Sequence, residues 1–173
     1  EMVSVSDYGF SIDKYEVTNA QYAAFLNAKG NQAEGGVTWL GADSEYVLIK
    51  EQGRRFTPKQ GYGDHPVIEV SWYGAQAYCA WAGKRLPTEE EWQQACQGRD
   101  GRKYPWGSSL GSGNANIFGS GDGYERTAPV GSFPSGASPY GAMDMSGNVW
   151  EWTASLYKSG SSSRVLRGGS WLD

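Results

Sequence analysis

From Arg99 to Tyr140 the chain runs through Gly, Ser, Asn and Pro with almost no helical or strand periodicity. A stretch of that length is uncommon in a compact domain and is ordinarily functional or pinned by something. It restricts the chain to a loop-rich fold whose regular elements lie before and after it. The composition agrees. The 25 glycines are spread without a period and indicate many special backbone positions. Eight Trp and eleven Tyr against five Phe favour side chains that pack while offering a polar edge. So many aromatics exclude a disordered chain. With 39% hydrophobic residues, the 173-residue sequence suits one domain, spanning 1–173, with a real core.

The formal charge is −4 and there is no Lys/Arg cluster, so the chain carries no electrostatic footprint for nucleic acid or an anionic membrane. No apolar run is long enough to span a bilayer, and the sequence shows no N-terminal secretion signal. It opens at Glu1-Met2-Val3-Ser4, inside what reads as a first strand, so localisation is not read directly. Two cysteines do not make a disulfide framework. P-loop, dinucleotide, zinc and nucleophile-elbow spacings are lacking. His65 is the single histidine and stands before Pro66, which points to a structural role.

Taken in order, Val3, Val5, Phe10, Ile12 and Tyr15-Glu16-Val17 predict an opening strand pair. Thr18 and Gln21 have capping-box spacing, Tyr22, Phe25 and Leu26 give an apolar face, and Gly30 is placed to end a helix over about 18–28. Trp39-Leu40 and Tyr46-Val47-Leu48-Ile49 read as short strands in a polar insertion, with Arg54-Arg55 on a solvated face. Ser71 caps a second helix, over about 71–83, with Trp72, Ala75, Tyr78, Cys79 and Ala82 along one side. Thr88 and Glu91 form another capping box, for a helix over about 88–97 that buries Trp92, Ala95 and Cys96. Glu89-Glu90-Glu91 is read as helix capping before it is read as an acidic binding patch.

After the long loop comes Gly141–Trp152, GAMDMSGNVWEW. Ser146-Gly147-Asn148 has turn chemistry and Val149–Trp152 alternates like a strand, placing Trp150 and Trp152 on one face and Val149 and Glu151 on the other. Two adjacent indoles are expected in a core, and Trp72, Trp81, Trp92, Trp150 and Trp152 are all expected to be largely buried. Asp144 and Glu151 then place two carboxylates around a bent backbone. Two readings stand. The carboxylates hold a hard cation such as Ca²⁺ together with peptide carbonyls, or the stretch is a Trp-rich core strand whose Glu151 pairs with Arg167.

GAMDMSGNVWEW resembles the signature of the formylglycine-generating-enzyme (sulfatase-modifying factor) family. So, in the family's order, do Tyr15-Glu16-Val17-Thr18-Asn19, His65-Pro66-Val67 with Val70-Ser71-Trp72, Trp81 through Trp92, Tyr104-Pro105-Trp106-Gly107 and Arg167-Gly168-Gly169-Ser170-Trp171. The resemblance implies an α+β, loop-rich C-type lectin fold whose C-terminal part is absent from the sequence. It implies one calcium site at Asn116, the Ile117 carbonyl, Asp122 and the Tyr124 carbonyl, and a second at Asp144, the Gly147 and Val149 carbonyls and Glu151. The null case for the loop residues is that Asn and Asp make turns with their own backbone. In family members with extra disulfides, cysteines matching Cys79 and Cys96 bond to cysteines beyond the RGGSW motif. Here they are expected to be free and buried or partnered by further chain. The catalytic copper-binding cysteine pair also lies beyond that motif, so copper enters only if further chain supplies such a pair. A single histidine excludes the multi-histidine iron site of the family's sulfoxide synthases.

Three functions follow from the resemblance. The preferred one is a non-catalytic ligand-binding protein, such as the retroelement-diversified, treponemal-type variable proteins. In these a segment like Arg164–Trp171 opens a displayed surface, which here would hold Trp171, Leu172 and Asp173. Its partner would be a protein or other surface ligand, met outside the cell or at the cell surface. The alternatives are a formylglycine-generating oxidase acting on a sulfatase cysteine, and a structural protein-interaction module. Fold alone does not choose among them.

Overall fold

Helix ends are fixed by the capping residues. In the computed structural model, which describes every residue except Ser112 and Ser120, α1 spans Asn19–Lys29. The Thr18 side chain accepts from the Gln21 N–H while the Gln21 side chain accepts from the Thr18 N–H, and Gly30 stops the helix at φ +76°. α2 spans Trp72–Trp81 behind Ser71, whose hydroxyl accepts from the Gly74 N–H. α3 spans Glu89–Gln97, with the Thr88/Glu91 box in front and Gly98 at φ +65° behind. The acidic first turn of α3 serves the helix: Glu91 closes the box and Glu89 pairs with Arg167.

Among the described residues the strands pair as four antiparallel hairpins: β1 Met2–Val5 with β2 Phe10–Asp13, β3 Ala33–Glu34 with β4 Val37–Thr38, β5 Ile49–Gln52 with β6 Arg55–Pro58, and β7 Glu151–Leu156 with β8 Arg164–Arg167. Two expected strands shift. Trp39-Leu40 follows β4 rather than forming it, and Tyr46–Leu48 precede β5. Arg54 and Arg55 are exposed, as a solvated face requires. Between Arg99 and Tyr140 the one regular element among the described residues is a 3₁₀ turn at Pro134–Gly136.

The chain divides into two compact units, 17–86 and 1–16 with 87–173. The first is built on α1, α2 and the β5–β6 hairpin around Tyr22, Phe25, Leu26, Trp39, Leu40, Ile49, Phe56 and Tyr78. His65 belongs to it, buried with its ring against Tyr62 at 4.7 Å, and its carbonyl accepts from Asn19. The second unit packs Val5, Trp92, Ala95, Cys96, Ala142 and Met145.

The β7 alternation holds, but its polarity is the reverse of the expected one. Val149 and Thr153 are buried and Glu151 turns inward with them, whereas Trp150 is 49% exposed and Trp152 only partly buried. The inward face has the hydrogen-bonding partners: Thr153 Oγ1 donates to the Val165 carbonyl and Glu151 accepts from the Trp92 indole. A polar face satisfied inside leaves the indoles outside. Trp81 is 42% exposed too, resting one face on Phe25 and Tyr78, and Trp72 is partly buried; of the five tryptophans expected in the core, Trp92 alone is fully buried. Trp92→Ala should therefore cost about 3–5 kcal/mol in denaturant titration, and Trp150→Ala half of that or less. Equal losses would show that the face assignment is wrong.

Candidate functional site

The second unit contains a buried polar knot centred on the turn before β7. Asn148 is 2% exposed and held at φ +58°, and each of its polar groups is engaged. Its N–H donates to the Asn116 carbonyl at 2.8 Å and its carbonyl accepts from the Trp171 N–H at 3.1 Å. Its side-chain oxygen accepts from Asn116 Nδ2 at 3.0 Å and from the Ala128 N–H at 2.9 Å. Its Nδ2 donates to Glu16 at 2.6 Å and to the Ala128 carbonyl at 3.3 Å. One residue, through its side chain and backbone, thereby joins Glu16, the long loop, the turn and the last residues of the chain. Gly147 allows the closeness: at φ +87°, a Cβ there would run into the Asn116 carbonyl.

Around this knot lie three acidic side chains. Glu16 is 8% exposed and accepts from Asn148 Nδ2 through one oxygen and from the Val149 N–H, at 3.2 Å, through the other. Asp144 is 8% exposed, sits at φ +60° and accepts from the Gly131 N–H at 2.6 Å. Glu151 accepts from Trp92 Nε1 at 3.1 Å. Burial pushes Asp144 up to about 6 against the pull of the Gly131 N–H. Burial, with a smaller contribution from Asp144, pushes Glu151 up to about 7. Burial first, then the charges of Asp144 and Glu151, hold Glu16 well above the ordinary carboxylate range. Arg167 does not relieve them. It stands opposite Glu151 in the β7–β8 register, but its guanidinium pairs with Glu89 across to α3. The expected Glu151–Arg167 pair is therefore replaced by a Glu151–Trp92 hydrogen bond.

Of the sequence-predicted ligands, Asp144, Gly147, Val149 and Glu151 are brought to this one turn. A Cβ built on Gly168 would lie 3.5 Å from the Val149 carbonyl oxygen and 3.9 Å from Glu151 Oε1. The carbonyl and the carboxylate oxygen thus both lie beside Gly168, with the Trp92 ring next to them. Two carboxylates with neighbouring carbonyls form a hard, all-oxygen donor set, which fits calcium. Among the described residues no three His, Cys, Asp or Glu side chains are grouped to hold a metal ion. Any cation here would therefore rely on backbone carbonyls beside Asp144 and Glu151.

The other predicted set is arranged differently. Asn116 is buried and donates to the Arg126 carbonyl and to Asn148, with Ile117 beside it partly buried. Asp122 Oδ1 accepts from the Tyr124 N–H at 2.9 Å, the backbone turn expected of Asp, and Tyr124 is 40% exposed against Phe133. Trp171, Leu172 and Asp173 are tied to the knot through Asn148 and through the Phe118 N–H, which donates to the Asp173 carbonyl. Asp173 Oδ2 in turn accepts from the N–H and hydroxyl of Ser170. Neither cysteine is in a disulfide; Cys96 is buried and Cys79 only partly so, against the expectation that both are buried, and burial, reinforced by Glu151 and opposed by Arg167, pushes Cys96 up to about 12. Sequence reasoning missed Glu16 and Asn148 as site residues. Glu16 lies 132 positions from its partner, so no local spacing links them.

A fold of small helices and paired strands around one polar turn has a solved counterpart. The crystal structure of CarF superposes with a TM-score of 0.63 at 25% identity, over all of this chain and 82% of that one. The sequence model of the sulfatase-modifying factor enzyme 1-like domain matches residues 2–173, and the chain belongs to that family. It is 37% identical to the inactive C-alpha-formylglycine-generating enzyme 2 of Bos taurus, covering 95% of this chain and 66% of that protein. It is 34% identical to the formylglycine-generating enzyme of Mus musculus, covering 95% of this chain and 57% of that one. The chain thus spans about two-thirds or less of these relatives' length. Among the described residues no helix is long and apolar enough to cross a membrane.

Proposed function

We propose that this chain is a non-catalytic ligand-binding domain with a C-type lectin fold, displaying a surface that begins near residues 164–173 and is ordered by calcium. The observation that carries the reading is the fastening of the last three residues. Trp171 and Asp173 are pinned by backbone bonds to Asn148 and Phe118, while the Leu172 side chain is 70% exposed and Phe118 76% exposed. Rigid backbone under exposed side chains lowers the ordering cost of binding. A relative called inactive by name fits a non-catalytic role. The partner is a protein or other surface ligand met outside the cell or at its surface. Calcium would be held by Asp144, Glu151 and the Gly147 and Val149 carbonyls, and at a second place by Asn116, Asp122 and the Ile117 and Tyr124 carbonyls. Bound there, it would supply a fixed positive centre that neutralises carboxylates and draws the loops together.

A second reading, oxidation of a sulfatase cysteine to formylglycine, takes its support from the 34% identity to a formylglycine-generating enzyme. It needs a pair of soft thiolates for copper, which the family resemblance places beyond the Arg167–Trp171 motif. The two readings separate in one experiment. A sulfatase-derived cysteine peptide incubated with the chain, copper and oxygen should keep its cysteine by mass spectrometry. On protein and glycan arrays, Leu172→Ser should lose hits that the parent chain gives. Conversion of the peptide would overturn the non-catalytic reading.

A further inference from the structure

We propose that Glu16 is the positioning residue of the cation site at the 144–151 turn: it binds no ion itself but fixes the backbone that presents the carbonyl ligands. The inference rests on the calcium reading above. The peptide unit joining Asn148 to Val149 is clamped at both ends, its N–H by Glu16 Oε1 and its carbonyl by the Trp171 N–H. That unit lies between the Gly147 and Val149 carbonyls in the chain. Its orientation therefore sets the angle at which the two converge. The other Glu16 oxygen takes Asn148 Nδ2 and so holds the side chain whose residue sits at φ +58°. With each oxygen accepting from an N–H donor of the turn, the Glu16 carboxylate is oriented toward the backbone it holds. Outer partners that orient ligands in this way typically change metal affinity by about 10–100-fold when removed.

Among the described residues Glu16 is the acceptor of the Val149 N–H, while Trp171 holds the carbonyl of the same peptide unit. Asn116 and Ala128 hold the Asn148 side chain and N–H, but the Val149 N–H goes to Glu16. Glu16→Gln keeps the size and necessarily turns one NH₂ against a donor, either Asn148 Nδ2 or the Val149 N–H. Glu16→Asp keeps the charge but is one methylene short of reaching both.

Terbium, a luminescent substitute for calcium, reports occupancy because the Trp92 indole is bonded to Glu151 and can sensitise an ion beside it. Titration of the parent chain with terbium, with calcium as competitor, gives the affinity, and Asp144→Asn identifies the signal of this site by removing it. Glu16→Gln should raise Kd by about tenfold or more, and Glu16→Asp by a smaller factor of at least about threefold. Leu26→Ala, which opens the core of the 17–86 unit instead, should leave Kd of the folded protein unchanged. Should Glu16→Gln fail to fold, Glu16→Asp decides alone. A shift below about threefold in the folded variant, or an equal shift in Leu26→Ala, would make Glu16 a structural residue only. If the parent chain gives no Asp144-dependent signal, the calcium reading itself fails, and this inference with it.

Discussion

Asn148→Ala is expected to lower the unfolding free energy by about 3–5 kcal/mol in denaturant titration, a loss at the high end for one small polar side chain. The truncation leaves a small void at a site that is 2% exposed, but the larger part of the loss is polar. It strips one partner from the buried Glu16 carboxylate, one from Asn116 Nδ2, and one each from the N–H and carbonyl of Ala128. A buried group left without its hydrogen bond typically costs about 1–3 kcal/mol, and these are members of one network. Alanine must also occupy φ +58°, which costs about 1–2 kcal/mol beyond what glycine would suffer. Asn148→Gly therefore separates the two causes, being the milder variant by about that amount. Asn148→Asp keeps the shape but aims a carboxylate at Glu16, and at neutral pH should do at least as much damage as alanine. A loss below about 1 kcal/mol for Asn148→Ala would mean that water replaces the network without penalty.

What could be read from the sequence follows the range of the interactions. Thr18 with Gln21, Ser71 with Gly74 and Thr88 with Glu91 are bonds between residues three apart, and each places a helix start within one residue of expectation. The turn at Gly147-Asn148 and the strand after it are likewise local. The face of that strand was not. Alternation says that Trp150 and Glu151 point opposite ways, and hydrophobicity alone sends the indole inside. Only the distant partners, Trp92 for Glu151 and Val165 for Thr153, make the polar face the buried one. Glu16 was illegible for the same reason. Its role depends on Asn148 and Val149, far along the chain, and nothing in Tyr15-Glu16-Val17 distinguishes an inward carboxylate from a solvated one. The long loop was correctly suspected of being pinned. Its fastenings are the Asn116 bonds to Arg126 and Asn148, and the Gly131 N–H on Asp144.

Calcium should stabilise the chain, and do so more at about pH 8 than at about pH 5. Free carboxylates in the unfolded chain ionise near pH 4. In the folded chain without metal, Asp144 holds its proton up to about 6 and Glu151 up to about 7, and Glu16 is raised as well, all chiefly through burial. Over the interval between those values the native state binds more protons than the unfolded one, so stability falls as pH rises. The contribution of these groups is fully present below about pH 4 and is lost as pH climbs through about 6 and 7. In EDTA the melting temperature should therefore be higher at about pH 5 than at about pH 8, from this source. A cation acts in the opposite direction, because it binds the ionised carboxylates and must displace their protons. At a hundredfold excess over Kd it should add about 2.7 kcal/mol, and this gain should shrink as the medium is acidified. Glu151→Gln removes one ligand charge and one raised group together. It should flatten the pH dependence in EDTA and blunt the response to calcium, while keeping an acceptor for the Trp92 indole. Identical melting temperatures in EDTA and in millimolar calcium at both pH values, with no metal found in the dialysed protein, would leave Asp144 and Glu151 as structural carboxylates and remove calcium from the account.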